Sequence, residues 1–245
     1  MKLTVLGCYG PFPKAKGACS GYLLECQDTK ILIDCGNGVL SRFLGICNDL
    51  NQLDAIIISH LHPDHMSDLM VLRYALDIGL KMGKINRPIP LYLPKTPKED
   101  YDRVQYRNAF EMVDIEKGMN ISIKGISISF KKTEHPVECY AASFKKGIKS
   151  FVYSGDTKYD AGLIEFASNA DLFLCEGGIP EMYRTETTPH LSAKQAAEIS
   201  TEGKIKRLLL THFYPDVKLP SLLSEAQEHY NGIIEMAEEG KSYFI

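Results

Sequence analysis

No run in this 245-residue sequence approaches the roughly 18 to 20 consecutive apolar residues of a membrane span. Met1–Leu6 is too short and too strand-like for a secretory signal. A cytoplasmic protein with no membrane partner is therefore expected. Paired cysteines are also missing. The seven present (Cys8, Cys19, Cys26, Cys35, Cys47, Cys139, Cys175) are odd in number and scattered, with no CxxC, which excludes a disulfide framework and suits reduced core residues. A strong net charge is absent too. The formal value of -3, with pI near 6.2, leans away from a protein that coats nucleic acid through a broad basic surface. Finally, no internal repeat, low-complexity tract or linker forces a boundary, so residues 1–245 are read as one domain with a sizeable core.

What is present is an alternation of short strand and helix patterns. Leu3–Leu6, Tyr22–Glu25, Ile31–Asp34 and Ala55–Ile58 are apolar runs bounded by Gly, Asp or Asn. Val39–Ile46 has helical spacing, and Met66–Leu80 places Leu69, Leu72, Leu76 and Leu80 on one face. Pro88, Pro90, Pro94 and Pro97 break up residues 84–97, leaving room for a short strand at Leu91–Leu93 in what reads as a connection rather than a core element. Further strands are expected at Ile121–Ile123, Ile126–Lys131, Ala141–Phe144, Phe151–Ser154, Leu172–Leu174 and Arg207–Thr211. Helices are expected at Ala161–Ala167, Ala193–Glu202 and Leu222–Tyr230. Strands in two groups, each followed by helices, suggest two sheets face to face with helices outside, a four-layer α/β/β/α sandwich. Periodicity alone does not separate this from a doubly wound sheet.

Six of the seven histidines lie just beyond an apolar strand-like run or in a short Gly/Pro/Thr-rich loop; His229 is the exception. Three of them fall in SHLHPDH, residues 59–65, directly after Ala55–Ile58. Side chains at i and i+2 of an extended segment point the same way, so His60 and His62 can converge on a single metal ion. Asp64 and His65, where a helix begins, aim at a neighbouring position. His135, His190, His212 and Asp156, the last in SGDT at 154–157, each occupy a comparable turn. Imidazole nitrogen and carboxylate oxygen suit zinc, and a bridging carboxylate suits two ions about 3.5 to 4 Å apart.

Through SHLHPDH, the isolated His135, SGDT, the His190 loop and LLLTHF at 208–213, the chain resembles the metallo-β-lactamase superfamily, and within it the ribonuclease Z and small phosphodiesterase branch. The resemblance runs nearly end to end. It implies that His60, His62 and His135 hold one zinc, that Asp64, His65 and His212 hold the second, and that Asp156 bridges them. A carboxylate at Asp156, where many β-lactamases use cysteine, is what the phosphodiesterase branch looks like. His62 stands where oxygen-reducing diiron relatives carry glutamate. Two zinc ions are thus the expected cofactors, although manganese and iron use the same ligands. His190 resembles the loop histidine that meets the substrate phosphate in ribonuclease Z relatives. Ser192 is a sufficient N-cap for Ala193–Glu202, so that helix does not need His190 as a cap.

The function implied is hydrolysis of a small cyclic or linear phosphodiester or nucleotide, with Asp64 orienting the nucleophile and His190 donating to a phosphoryl or leaving oxygen. In ribonuclease Z a long arm that grips transfer RNA lies between the positions of His135 and Asp156. Here only twenty residues separate them, so RNA is not the favoured partner. A ribonuclease Z-like nuclease, a thioesterase and a non-catalytic module on the same fold are the rivals. Relatives often dimerise, which makes a homodimer compatible with the resemblance. Basic clusters at Lys145, Lys146 and Lys149, and at Lys204, Lys206 and Arg207, read as solvated faces, and Gly17–Gly21 as a turn.

Overall fold

The computed structural model describes residues 1–245. The chain opens with an antiparallel meander, β1 (Lys2–Gly7), β2 (Gly21–Cys26) and β3 (Thr29–Ile33). It continues through α1 (Val39–Ile46), β4 (Ala55–Ile57), α2 (Pro63–Met66), α3 (Leu69–Lys81), β5 (Ile89–Leu93), α4 (Lys98–Val104) and β6 (Phe110–Asp114), with β3 to β6 parallel. A second antiparallel set, β7 (Asn120–Ile123), β8 (Ile126–Lys132), β9 (Tyr140–Lys146) and β10 (Lys149–Tyr153), leads into α5 (Ala161–Ala167), β11 (Leu172–Glu176), α6 (Ala193–Glu202), β12 (Arg207–Thr211), α7 (Leu219–Gln227) and β13 (Ile233–Met236). Here β10 to β13 are parallel, and β14 (Ser242–Phe244) returns to pair with β1. The strand orders are β14-β1-β2-β3-β4-β5-β6 and β13-β12-β11-β10-β9-β8-β7. No helix is long and apolar enough to cross a membrane.

Burial explains the layering. Successive side chains of β2, β3 and β4 point to opposite faces, and both faces are apolar. Leu23, Leu32 and Ile56 pack with Val39, Phe43, Leu69, Leu72 and Leu76 of α1 and α3. Tyr22, Leu24, Ile31, Ile33 and Ile57 instead join Phe144, Phe151, Tyr153, Leu174 and Leu209 of the second sheet in the larger core, which extends to Ala196, Ile199, Leu222 and Ala226 of α6 and α7. The four-layer α/β/β/α arrangement follows. Across the middle layer the Tyr22 and Tyr153 rings sit 5.3 Å apart, and the Tyr22 and Thr211 hydroxyls are hydrogen-bonded at 2.7 Å. All seven cysteines are unpaired, and six of them are buried.

Three expectations need correction. The segment 84–97 carries β5, a full core strand between β4 and β6 with Ile89, Leu91 and Leu93 buried. Its pairing with β4 begins only at Leu91, so the N–H that Pro90 lacks falls ahead of that ladder. The helix expected over Met66–Leu80 is broken at Ser67 and Asp68. There the His65 carbonyl accepts from Cys35 N and Asp68 N donates to the Cys35 carbonyl, so the loop after β3 takes bonds that a continuous helix would use. The helix expected at Leu222–Tyr230 starts earlier, at Leu219, because Pro220 is tolerated in a first turn, where its missing N–H has no helical partner to lose.

The Tyr22 to Thr211 hydrogen bond ties the two sheets. Tyr22→Phe strands a buried Thr211 hydroxyl, so we expect a loss of about 1–3 kcal/mol. It will be read as a lower urea midpoint at unchanged slope.

Candidate metal centre

The functional side chains collect at the carboxyl ends of strands, where parallel α/β sheets leave a crevice for ligands. Asp34 follows β3, His60 to His65 follow β4, Asp156 follows β10, Glu176 ends β11 and His212 follows β12. His135 lies beyond β8. Local chemistry shapes each turn. His62 is extended (φ -69, ψ 146) and precedes Pro63, which starts α2 and brings Asp64 and His65 round. Gly155, with φ 58, gives the turn that presents Asp156, and His212 itself has φ 61. Backbone crowds His212 from two sides. A Cβ on Gly10 would lie 1.9 Å from its Nε2, and one on Gly178 would lie 1.8 Å from its carbonyl oxygen.

All seven residues expected to bind metal come together. Donor atoms of His60, His62, His135 and Asp156 lie within 4.8 Å of one another, as do those of Asp64, His65 and His212. Asp156 Oδ2 joins the two groups, at 3.6 Å from His60 Nε2 and 3.4 Å from both His65 Nε2 and His212 Nε2. Asp64 Oδ2 is 3.5 Å from His65 Nε2 and 3.2 Å from His212 Nε2. Ligand atoms around a tetrahedral ion with bonds of about 2.0–2.1 Å are spaced by roughly 3.3–3.4 Å, so these separations fit a cation better than direct hydrogen bonds.

Proton accounting gives the same answer. Ser59 Oγ donates to Asp34 Oδ2 and so accepts from His60 Nδ1 at 3.1 Å. His65 Nδ1 donates to Asp34 Oδ2 at 2.8 Å, and His135 Nδ1 to the Pro189 carbonyl at 3.3 Å. With Nδ1 committed, the neutral His60 and His135 rings turn a bare Nε2 lone pair inward. The Nε2 atoms of His60 and His135 lie 3.0 and 3.1 Å from His62 Nδ1, which carries at most one proton to share between them. His65 Nε2 and Asp156 Oδ1 are buried without a hydrogen-bond partner. A site of unshared lone pairs and orphaned polar atoms fits divalent ions held by N and O ligands.

Two carboxylates that the sequence reading passed over complete the site. Asp34, fully buried, accepts from Ser59 N, Ser59 Oγ, His65 Nδ1 and Tyr153 OH at 2.7–2.9 Å. Glu176 receives His190 Nδ1 at 3.0 Å. Each was signalled by an acid closing an apolar strand shortly before glycine, in ILIDCG and LFLCEGG. Ser192 caps α6 in a capping box with Gln195, leaving His190 free of that duty. His229 lies apart, beside Glu198.

Charge follows from these contacts. Burial, helped by His65, holds His60 well below the usual imidazole range, and burial lowers His135 to about 4, so both rings are neutral. Burial opposes charge on His65, but Asp156, Asp64 and Asp34 outweigh it and push that pKa well up. Burial likewise opposes ionisation of Asp64, but His65 and the hydrogen bond from His212 hold its carboxyl below the carboxylate range. Asp156 is held down by His212, His65 and His60 against its burial. His190 is raised to about 9, where Glu176 overrides burial.

The model of a β-lactamase superfamily domain matches residues 29–213. The probable metallo-hydrolase YhfI of Bacillus subtilis (strain 168) is 33% identical over 240 residues, covering 98% of each chain. The crystal structure of that metallo-β-lactamase fold protein superposes with a TM-score of 0.94 over 99% of this chain and 98% of the other. Ribonuclease Z of Clostridioides difficile (strain 630) is 25% identical over 280 residues, 91% of each chain. Human tRNase Z, short form, shares the fold, with a TM-score of 0.78 at 19% identity over 100% of this chain and 99% of the other.

In the metal-free protein at neutral pH His65 carries a proton that an incoming cation must displace. Calorimetric titration of divalent metal in buffers of different ionisation enthalpy is therefore expected to show release of about one proton per centre filled. A buffer-independent heat would contradict it.

Proposed function

Because this chain belongs to the metallo-β-lactamase superfamily and is a metal-dependent hydrolase, we propose that it is a dinuclear zinc phosphodiesterase acting on a small phosphodiester or nucleotide, with residues 1–245 working as one domain. The observation that carries this reading is Asp156 Oδ2, set 3.4–3.6 Å from His60, His65 and His212 and so shared between both groups of ligands. In the proposed arrangement His60, His62 and His135 would hold one ion, Asp64, His65 and His212 would hold the other, and Asp156 would serve both. Bound there, such ions supply positive charge for a phosphoryl oxygen and lower the pKa of water to about 7.

The remaining steps belong to the protein. Asp64, kept ionised by the positive groups around it, orients the attacking water and accepts its proton. His190, tied through Nδ1 to Glu176, keeps Nε2 for donation to a phosphoryl or leaving oxygen. Its raised pKa keeps that proton in place at neutral pH. Glu176 fixes the ring and balances its charge, much as a carboxylate orients an imidazole in other acid–base pairs. Thioester hydrolysis has less need of this donor, because a thiolate leaves readily without a proton.

The chain between His135 and Asp156 supports a small substrate over transfer RNA. It consists of the end of the β8–β9 connection and a tight β9–β10 hairpin that turns through Gly147 and Ile148. No arm extends from it.

Two variants test the roles. Asp156→Ala should lose both bound metal and activity. His190→Ala should retain both metals while turnover falls by about 10²- to 10⁴-fold, and should also lose the alkaline limb of the rate profile, since His190 donates only below its pKa. Normal turnover by His190→Ala on several phosphodiesters would remove that residue from the mechanism.

Rates should also be surveyed across phosphodiesters of increasing size, pre-tRNA and an activated thioester, with metal content measured on the same sample. The small phosphodiesters are expected to lead. Faster cleavage of pre-tRNA or of the thioester would overturn the substrate class.

A further inference from the structure

Beside the metal centre, on the His212 side, lies a cleft of about 430 Å³ lined by Ile179, Tyr183, Tyr214, Asp216 and Val217. Its volume falls in the range of about 300–1000 Å³ usual for small-molecule sites. Two of its walls are built from the strand ends that carry the catalytic groups. Tyr214 is two residues beyond His212, and its N–H donates to the Gly178 carbonyl. Gly178 packs directly on the His212 backbone. Ile179 pairs with Ser192, two residues from His190. The aromatic groups here are held open to solvent: Tyr183 is 66% exposed, Tyr214 40%, and Phe12, edge-on to Tyr214 at 5.6 Å, 46%.

Resting on the phosphodiesterase reading above, we infer that this cleft is a specificity subsite for the amino-bearing nucleobase of a nucleotide substrate. A phosphoryl group seated at His190 and His212 has the adjoining loops within reach of its substituent, since Tyr214 is at most about 7 Å from His212 along the chain. Open tyrosine faces stack on a flat ring, and stacking tolerates any base. The wall also carries one carboxylate, Asp216, and no cation. That carboxylate repels a second phosphate and would be left desolvated by an alkyl chain, whereas an exocyclic amine donates to it. Adenine, guanine and cytosine meet these terms; thymine does not offer the amine.

The test compares p-nitrophenyl phosphodiesters of adenosine, thymidine, methanol and octanol, which share a leaving group, on metal-loaded enzyme. The kcat/KM is expected to be about tenfold or more higher for the adenosine ester than for the methyl ester, with the thymidine ester between them. Tyr183→Ala and Tyr214→Ala should each shrink the adenosine-to-methyl ratio severalfold, and Tyr214→Phe should keep it. A ratio taken within one protein sample is indifferent to partial unfolding. The subsite is refuted by an adenosine-to-methyl ratio near one, by a ratio unchanged in both alanine variants, or by an octyl ester that gains as much as the adenosine ester. If none of the esters turns over, the phosphodiesterase reading fails by itself. Calorimetric binding then decides the subsite: adenosine 5′-monophosphate should bind metal-loaded protein about tenfold more tightly than ribose 5-phosphate, and equal affinities would refute it.

Discussion

Everything at the site leans on one buried carboxylate. Asp34 has no exposure, and a buried charge costs several kcal/mol unless its oxygens are saturated. Four donors saturate it: Ser59 through backbone and side chain, His65, and Tyr153. Asp34 and Ser59 extend the first sheet, whereas Tyr153 belongs to the second. The bond that satisfies the carboxylate therefore also sets the spacing of the two sheets. Through Ser59 it fixes the His60 ring as well, so Asp34 orients ligands from both proposed metal positions without lying beside either.

The second layer of constraint is backbone crowding. Gly10 and Gly178 let main chain from two different loops close on His212. His212 adopts a left-handed backbone conformation, uncommon for a non-glycine residue. A strained residue persists when its surroundings over-determine it, and here the crowding loops do so. The same close packing carries Tyr214 and Ile179 outward to form the neighbouring aromatic cleft. Rigidity at the metal centre and the shape of the approach to it thus have a common origin.

Much of this was legible in the sequence, for reasons that can be named. The candidate ligands were visible because histidine is scarce and six of seven copies fall at strand ends or in one short loop. Helices α1, α5 and α6 were visible because each has an apolar face bounded by clear stops. The elements missed were α4 and the strands β6, β13 and β14. The three strands lie at or next to sheet edges and bury one face weakly, so their apolar alternation is faint. Proline density shortened β5 to Leu91–Leu93 and hid its place in the core, because the sequence does not show on which side a ladder begins. Asp34 and Glu176 were passed over because an acid at a strand end is common. Their role depends on partners such as Tyr153 and His190, which only the tertiary fold brings near.

The two-residue turn at Gly147 and Ile148 has a bearing on how such proteins diverge. Ile148 is 94% exposed, and the ladder from β8 through β10 closes without it. Extra chain spliced into this turn would add a closure cost that grows by only about 0.6 kcal/mol per doubling of length, and it would leave His135 and Asp156 where they stand. The hairpin tip is thus a point where insertion and deletion act on reach alone. A lineage can lengthen or trim what it grips there, generation by generation, while inheriting its chemistry intact.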